Sequence, residues 1–290
     1  METHDITIRQ PAEVLAKRPN IGRILLQNGK IKAKDAYRIL HMHLEQGLRY
    51  GDAAVKLGLV TEDDIRHALF QQFHYPCLPA GSAAVDQKVI AALRPHDHQV
   101  EVLRALRSQL ALRWYAENRL MAITAPSAGH GASRVAANLA VVFSQMGART
   151  LLIDADMRNP CQHKLFHLQG SPGLSDFLAG RAGTNIIHGI RHLTNLFILP
   201  AGTEPPNPLE LLGRPALGGL IKDISEQFDA VIIDTPPALA CADAQAISAR
   251  TGGALIVARR HHARIADVEA VKQQLAAGGA KAVGAVLTDS

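Results

Sequence analysis

The sequence predicts an α/β fold, a mostly parallel sheet with helices on both faces, preceded by a small α-helical domain of two repeats. Two observations predict it. From Leu120 onward, short apolar runs alternate with segments of helical periodicity, as in a parallel sheet covered by helices. Residues 21–73 repeat with a period of 29 and read as two helix pairs. A chain of 290 residues can form a sizeable core and a smaller second module.

The composition excludes several classes of protein. The net charge is +5, but no basic run is interleaved with aromatic residues, so no nucleic acid is expected as a partner. The three cysteines have neither the spacing of a metal site nor that of a disulfide framework. No run reaches the roughly 20 apolar residues of a membrane span, and no signal peptide is recognisable. We therefore expect a cytoplasmic protein.

The helical domain is expected at residues 21–78. In each repeat a short helix ends at a glycine, Gly29 or Gly58, and a longer amphipathic helix follows. We expect a flexible amino terminus at residues 1–20 and a linker at residues 79–98, after a proline-containing stretch.

The main domain is expected at residues 99–290, and it begins with a helix from Gln99 to about Asn118. Its strands are predicted as near-continuous apolar runs, which are typical of buried parallel strands. The predicted strands are 120–125, 150–154, 196–200, 230–234, 254–258 and 283–287. The predicted helices between them are 133–146, 208–227, 242–250 and 265–276.

A glycine-rich turn follows the first predicted strand, at the edge of the sheet where parallel folds bind ligands. The turn consists of Ser127, Ala128, Gly129, His130, Gly131, Ala132, Ser133 and Arg134. Its glycines allow backbone N–H groups to surround phosphate oxygens, and the helix that follows adds a partial positive charge. In a complete P-loop, Gly-Lys-Ser/Thr closes the turn. Gly131 and Ser133 fit this pattern, whereas Ala132 occupies the lysine position.

Carboxylates follow two other predicted strands. Asp154 and Asp156 come after the second strand, and Asp234 ends the fourth. Acids at such positions hold Mg²⁺ through water and accept a proton from an attacking hydroxyl. Three acids beside a glycine-rich turn therefore favour a nucleotide site over an empty strand-to-helix turn.

Taken together, residues 99–290 resemble the bacterial tyrosine kinases, or BY-kinases, specifically their exopolysaccharide-linked EpsG-like branch. This is a P-loop family related to MinD and ParA. The resemblance rests on the segments 153–160, 173–176, 200–202, 205–208 and 233–237, and on Glu101, Arg104 and Arg107, which match the family's Glu-x-x-Arg-x-x-Arg oligomerisation motif.

The resemblance implies a role for each residue of the turn and for the acids. Residues 127–134 are implied to bind ATP or ADP, and Ser133, Asp156 and Asp234 to serve Mg²⁺. Asp154 and Asp156 are implied to position the metal and to activate a tyrosine hydroxyl. The oligomerisation motif implies a ring-shaped homo-oligomer.

The family also implies a setting. Its members work in exopolysaccharide biosynthesis and export with a membrane-embedded chain-length determinant protein, which places this chain at the inner membrane through its partner. The amino-terminal repeats resemble the amino-terminal domain of type II secretion ATPases, some of which bind cyclic di-GMP. Arg49-Tyr50-Gly51 keeps the expected Arg-x-Gly opening, whereas Asn20-Ile21-Gly22 lacks the arginine. Both protein docking and cyclic di-GMP binding remain open.

Two departures from the family leave the activity open. Ala132 cannot grip a phosphate, Arg134 is expected to point elsewhere, and His130 would contribute charge only at lower pH. The tyrosines Tyr37, Tyr50, Tyr75 and Tyr115 do not form the carboxy-terminal cluster that the family phosphorylates. The chain is either an active tyrosine kinase or a catalytically impaired, nucleotide-gated assembly factor of the same complex. A positioning ATPase of the MinD and ParA type is the more distant alternative.

Overall fold

The computed structural model describes residues 20–73, 75–79, 82–168, 170–183 and 185–289. The chain divides into two compact units between Pro76 and Cys77. Apart from Asn20, the predicted flexible amino terminus lies outside the described residues.

The amino-terminal unit consists of two helix pairs within its described residues. Their bounds are α1 Ile21–Gln27, α2 Ala33–Gln46, α3 Tyr50–Lys56 and α4 Glu62–Gln72. Gly29 and Gly58 have φ values of +68° and +65°, which explains why glycine follows the short helix in both repeats. Thr61 caps α4 by accepting a hydrogen bond from the N–H of Asp64. The core of this unit is formed by Ile24, Leu25, Ile31, Ile39, Ala53, Ala54, Val60 and Ala68.

The second unit contains the remaining elements. Its helices are α5 Ile90–Leu93, α6 His98–Arg113, α7 Ala132–Gln145, α8 Gln162–Leu165, α9 Leu174–Leu178, α10 Pro208–Leu212, α11 Pro215–Gln227, α12 Asp243–Thr251 and α13 Ile265–Ala277. Its strands are β1 Leu120–Thr124, β2 Thr150–Asp154, β3 His188–Ile190, β4 Leu193–Leu199, β5 Ala230–Asp234, β6 Gly253–Arg259 and β7 Lys281–Thr288.

These seven strands form one sheet in the order β3-β4-β2-β5-β1-β6-β7. All neighbours are parallel except β3 and β4, so the predicted fold class is confirmed. Two apolar clusters cover the sheet, one including residues of α6 and α7 and the other including residues of α11, α12 and α13. The carboxyl ends of β1, β2 and β5 meet in register, since Asp234 is paired with both Ile123 and Asp154.

The segment predicted as a linker packs into the second unit instead of bridging two domains. Val85, Val89, Ala91 and Ala92 are buried. Asn138 of α7 fixes this segment, because its Oδ1 accepts a hydrogen bond from the Ala91 N–H at 2.9 Å and its Nδ2 donates to the Lys88 carbonyl at 2.9 Å. The small apolar residues of this segment allow it to pack closely against α7. The same residues also occur in connectors, so the sequence alone did not predict this packing.

Two further elements differ from the sequence prediction. The helix predicted at 208–227 is two helices, because α10 ends before Gly213 and Pro215 starts α11 with its own fixed φ. The short antiparallel strand β3 has no predicted counterpart. Among the described residues, none of the helices combines the length and apolar character needed to cross a bilayer.

Candidate nucleotide site

The glycine-rich turn joins β1 to α7 at the carboxyl edge of the sheet. Gly129 and Gly131 have φ values of +87° and +81°, a conformation that favours glycine. Gly131 is the N-cap of α7, and no side chain caps this end or places an acid in its first turn. The first N–H groups of a 14-residue helix are therefore available to an anion. Ser127, Ala128 and Gly129 are exposed at the tip of the turn.

His130 anchors the turn through its side chain. His130 as a whole is only 2% exposed, and its ring Nδ1 accepts a hydrogen bond from the Arg259 N–H at 2.9 Å. The ring hydrogen therefore lies on Nε2, which is 3.0 Å from Ser127 Oγ. Burial lowers the pKa of His130, and the neighbouring His262 lowers it further. The sequence analysis considered a charge on His130 at low pH; its hydrogen bonds instead favour a neutral ring, which leaves the backbone to face a phosphate.

The lysine position of the turn carries only a methyl group. Ala132 is the first residue of α7 and packs beside the apolar cluster under the helix. Arg134 is two residues further, about 200° around the helix, so the helix directs it away from the position of Ala132. Within α7 there is thus no direct substitute for the lysine.

Asp154 and Asp156 shape the loop after β2. Asp154 is fully buried, and its Oδ2 accepts hydrogen bonds from the N–H groups of Cys161 and Gln162 at 2.9 and 2.8 Å. Oδ1 of Asp156 accepts from the N–H groups of Arg158 and Asn159 at 3.2 and 2.9 Å. Burial raises the pKa of both carboxyls above the ordinary value, although these N–H donors act in the opposite direction.

Asp234 faces the same space from the end of β5. It is fully buried, and Gln162 Nε2 donates to its Oδ2 at 2.8 Å and to the Ser133 carbonyl at 3.0 Å. Its Oδ1 has no hydrogen-bond partner among the described residues. Burial, followed by the charge of Asp154, raises its pKa well above the ordinary value, while the Ser133 hydroxyl lowers it. Gln162 was missed from the sequence because no motif marks it.

These oxygens fit a magnesium ion. A buried carboxylate oxygen without a partner is costly, and burial together with the neighbouring acids raises the pKa of Asp154 and Asp234. Mg²⁺ prefers hydroxyl, carboxylate, water and phosphate oxygens, and it usually keeps several waters. No three His, Cys, Asp or Glu side chains of the described part lie close enough to hold a metal by themselves. Ser133 and Asp234 would hold the ion together with water and nucleotide oxygens.

A cavity of about 410 Å³ opens beside the turn. Pro126, Ser127 and Ala128 form one wall, and Arg158 and Asn159 form another. The Arg158 guanidinium donates to both carboxylate oxygens of the buried Asp243, from Nε at 2.8 Å and from Nη2 at 3.2 Å. Hydrogen bonding to Asp243 raises the pKa of Arg158 and fixes a permanent cation at this cavity.

Comparisons with known proteins agree with this geometry. A family model described as an AAA domain matches residues 118–262. The structure of the kinase domain of Escherichia coli tyrosine kinase ETK is 33% identical, with a TM-score of 0.66, and the match covers 73% of this chain and 80% of that domain. The chain belongs to the AAA-domain family, in the branch of the bacterial tyrosine kinases. The predicted family is thereby confirmed.

The curated relatives of this kinase family are much longer than the matched region. A tyrosine-protein kinase ptk of Acinetobacter johnsonii is 35% identical over 204 residues, which cover 69% of this chain but 28% of that protein. The chain thus spans little more than a quarter of that relative. A more distant structure is that of the septum site-determining protein MinD of Pyrococcus horikoshii, complexed with Mg-ADP, at 25% identity and a TM-score of 0.51 over 58% of this chain and 69% of that one.

Two of the kinase-like segments join in a backbone clasp, formed by Gly173–Asp176 and Pro200–Thr203. The N–H groups of Leu174 and Ser175 donate to the carbonyls of Pro200 and Ala201 at 2.8 and 2.9 Å. Oδ2 of Asp176 accepts from the N–H groups of Gly173 and Thr203 at 3.1 and 3.0 Å. A Cβ on Gly173 would lie 2.1 Å from the Pro200 carbonyl oxygen, so this position needs glycine. The clasp therefore has a structural role.

The residues of the oligomerisation motif lie along α6 and have partners within the chain. Arg104 forms an ion pair with Glu101, and its Nη2 donates to the Pro95 carbonyl at 2.7 Å. Nη1 of Arg107 donates to the Val142 carbonyl at 3.0 Å. The Glu101 side chain remains 60% exposed. Nε of Arg107 is buried and has no hydrogen-bond partner among the described residues, so intrachain contacts satisfy this arginine only in part.

Proposed function

We propose that this chain binds Mg-ATP or Mg-ADP at the glycine-rich turn and acts as a tyrosine-kinase-like protein of exopolysaccharide biosynthesis and export. The observation that supports it most is the unpartnered Oδ1 of Asp234, buried beside the Ser133 hydroxyl at the start of α7. A hard cation bound to a phosphate chain satisfies this oxygen and the helix N–H groups together. Similarity to named tyrosine kinases supports phosphoryl transfer as the reaction class.

Each residue has a role in this proposal. Residues 127–134 surround the phosphates with backbone N–H groups. Ser133 and Asp234 hold the metal, which when bound neutralises charge on the phosphates. Asp156, whose Oδ1 is fixed by two N–H donors, accepts the proton of the attacking tyrosine hydroxyl. Its raised pKa makes it a better base than an ordinary aspartate. Asp154 holds the loop that carries Asp156 and contributes to metal positioning.

The acceptor tyrosine is proposed to lie on a partner or on the amino-terminal unit. Tyr37 is 76% exposed, whereas the Tyr115 hydroxyl donates to the Val231 carbonyl at 3.1 Å inside the second unit. Burial raises the pKa of Tyr115, which makes that hydroxyl a poor nucleophile. Mapping of phosphotyrosine by mass spectrometry distinguishes Tyr37 from a partner's tyrosine.

A titration of Mg-ATP by calorimetry tests the proposal, with ATP hydrolysis and phosphotyrosine followed in parallel. We expect micromolar binding by the natural chain and a loss of at least about tenfold in affinity in Asp234→Ala. Binding that is unaffected by Asp234→Ala, or no binding by a folded natural chain, contradicts the assignment of this site.

A second candidate function, the nucleotide-gated assembly factor, is favoured by the methyl group at Ala132. An Ala132→Lys variant separates the two, because the restored cation stabilises charge in phosphoryl transfer by an amount worth roughly 10²–10³ in rate. Transfer by the natural chain supports the kinase, whereas transfer by the variant alone supports the assembly factor. Ala276→Lys on the exposed face of α13 adds the same charge away from the site and serves as the control.

For the amino-terminal unit we propose docking to the membrane-embedded chain-length determinant, which would hold the chain at the cytoplasmic face of the inner membrane. Support comes from the repeat itself: Leu40 and Leu44 are 45% and 72% exposed, and their counterparts 29 residues on, Leu69 and Phe73, are 38% and 76% exposed. Both repeats thus present an apolar pair to solvent. Cyclic di-GMP is the alternative ligand, and a titration of it decides between the two.

A homo-oligomeric ring is also proposed, on the basis of the family motif and the exposed carboxylate of Glu101. Light scattering of the natural chain and of Glu101→Arg measures this directly. A particle of several subunits that dissociates in the variant supports the ring, and a monomer in both excludes it under those conditions.

A further inference from the structure

A strongly basic turn follows β6 and packs against the glycine-rich turn. We call residues 259–264 the basic turn, and its sequence is Arg-Arg-His-His-Ala-Arg. The Arg259 N–H donates to His130 Nδ1, and the His262 ring lies with its centroid 4.9 Å from that of His130. A Cβ built on Gly129 would have His262 Nε2 as its nearest neighbour, at 3.8 Å. His262 therefore borders the exposed side of the proposed phosphate-binding loop.

The backbone holds His262 in this position by an uncommon conformation. His261 has a φ of +59°, which is rare for a residue with a side chain. The N–H groups of His262 and Ala263 both turn back to the Arg259 carbonyl, at 3.2 and 2.8 Å. Backbone outliers of this kind are concentrated at functional sites, where the surroundings hold them in place.

The charges around His262 are mostly positive. The groups that surround it are His130 on the glycine-rich turn, Arg259, Arg260 and His261 on the basic turn, Arg264 and Asp267 at the start of α13, and Asp289 after β7. The Arg260 guanidinium is paired with Asp289 at 3.1 Å, and the His130 ring is held neutral by its hydrogen bonds. His262 is exposed, and its ring contacts His130 of the glycine-rich turn.

We infer that His262 adds a cationic wall to the nucleotide site beside Gly129, and that in its charged form it binds the phosphate chain of a nucleoside diphosphate or triphosphate. This inference rests on the proposed nucleotide function and extends it to a residue that the P-loop pattern does not include. It identifies a source for the positive charge that is missing at Ala132. Because the His262 imidazole pairs with a phosphate only when it carries a proton, nucleotide affinity depends on pH.

Calorimetric titrations with Mg-ATP, Mg-ADP and adenosine at pH 6 and pH 8 test this wall. A charge-assisted contact to phosphate is expected to make Mg-ATP binding about tenfold weaker in His262→Gln at pH 6, with little difference from the natural chain at pH 8. His262→Lys keeps its charge at pH 8 and is expected to bind there as tightly as the natural chain binds at pH 6. Adenosine, which has no phosphate, is expected to bind the three chains equally.

His192→Asn is the matched control, since His192 is also an exposed histidine with a positive φ, +68°, but lies between β3 and β4 at the far edge of the sheet, and asparagine tolerates that conformation. It is expected to keep the pH dependence of the natural chain. An equal loss of ATP and adenosine affinity in His262→Gln overturns the inference in favour of contact with the base. If His262→Gln leaves the Mg-ATP affinity unchanged, the role of His262 is wrong but the proposed nucleotide site stands. If the folded natural chain binds no nucleotide at either pH, the proposed site is wrong as well.

Discussion

The two units of this chain break the usual rule of burial in different ways. The amino-terminal unit exposes large apolar side chains, with Tyr37 at 76%, Leu44 at 72% and Phe73 at 76% exposure. The second unit also exposes single apolar side chains, such as Leu112 at 75% and Ile265 at 89%, but it differs in burying charge. Asp154 and Asp234 are fully inaccessible at the carboxyl edge of its sheet. Exposed apolar groups and buried charges are the informative exceptions in a protein, because neither contributes to stability without a partner.

Exposed apolar side chains and buried carboxylates need different kinds of partner. Apolar side chains in solvent need another apolar surface, so the amino-terminal unit is suited to a macromolecular partner. A buried carboxylate oxygen needs a cation or a donor, so the second unit is suited to a small charged ligand. The two units thus point to separate binding events, and stability measurements can test whether each exception carries a cost.

The largest effect is expected at the clasp. Gly173→Ala places a methyl group 2.1 Å from the Pro200 carbonyl oxygen, a clash with backbone that cannot move without breaking two hydrogen bonds. We expect a loss of more than about 4 kcal/mol in the free energy of unfolding by urea, or no soluble protein. The control is Gly218→Ala, where a Cβ meets nothing within 4 Å in the exposed helix α11. That variant should be more stable by about 0.5–1 kcal/mol.

The clasp shows which features could be predicted from the sequence and which could not. Its two segments were recognised as kinase-like, but their contact joins residues far apart in the chain, and no local pattern predicts it. By contrast, β2 and β5 were predicted residue for residue, because each is a continuous apolar run that ends at an aspartate. β3 was missed since His188–Ile190 is short and lies at a sheet edge with little apolar character.

The residues of the candidate site likewise include some that were predicted from the sequence and others that only the structure revealed. The turn and the acids Asp154, Asp156 and Asp234 were identified from the sequence, because strand ends in a parallel sheet converge by topology. Gln162 and His262 were not, since Gln162 at the start of α8 and His262 in the basic turn come close to the glycine-rich turn only through tertiary packing. The neutral state of His130 also needed the structure, because it follows from a hydrogen bond to the Arg259 N–H across 129 positions.

The next effect contrasts core and surface within the amino-terminal unit. Ile39 and Leu44 lie on the same helix, but Ile39 is fully buried in the small core and Leu44 is 72% exposed. We expect Ile39→Ala to cost about 2–4 kcal/mol in thermal or urea unfolding followed by circular dichroism. Leu44→Ala should change the free energy of unfolding by less than about 0.5 kcal/mol. Equal costs would mean that the exposed face is covered in solution.

A smaller effect is expected from the buried acids, and it depends on pH. Burial raises the pKa of Asp154 to about 7, and burial with the charge of Asp154 raises that of Asp234. The folded state therefore holds these protons more tightly than the unfolded chain, whose aspartates titrate near about 4. This contribution to stability is present below that value and is lost as the pH rises through the raised pKa.

Asp234→Asn removes one of these charges and should raise the free energy of unfolding at pH 8 by about 1–3 kcal/mol, with a smaller gain at pH 5. Unfolding by urea at the two pH values measures this. Asp223→Asn, at an exposed position of α11, is the control. Addition of Mg-ATP at pH 8 should stabilise the natural chain and not Asp234→Asn. A variant less stable than the natural chain at pH 8 would contradict the account of Asp234 as a charge without a partner.

The smallest effect on stability, and the sharpest test of the contrast between the units, comes from the repeated apolar pairs. Leu44→Lys with Phe73→Lys changes two side chains that contribute little to the core, so the unfolding free energy should shift by less than about 0.5 kcal/mol. Leu112→Lys, at a position 75% exposed in the second unit, is the matched control. Binding to the chain-length determinant in detergent or nanodiscs should be weakened by the double variant alone. Nucleotide binding should be the same in the natural chain and both variants, because the proposed nucleotide site lies in the other unit. If all three chains also bind the chain-length determinant equally, the assignment of partner recognition to the amino-terminal unit is wrong.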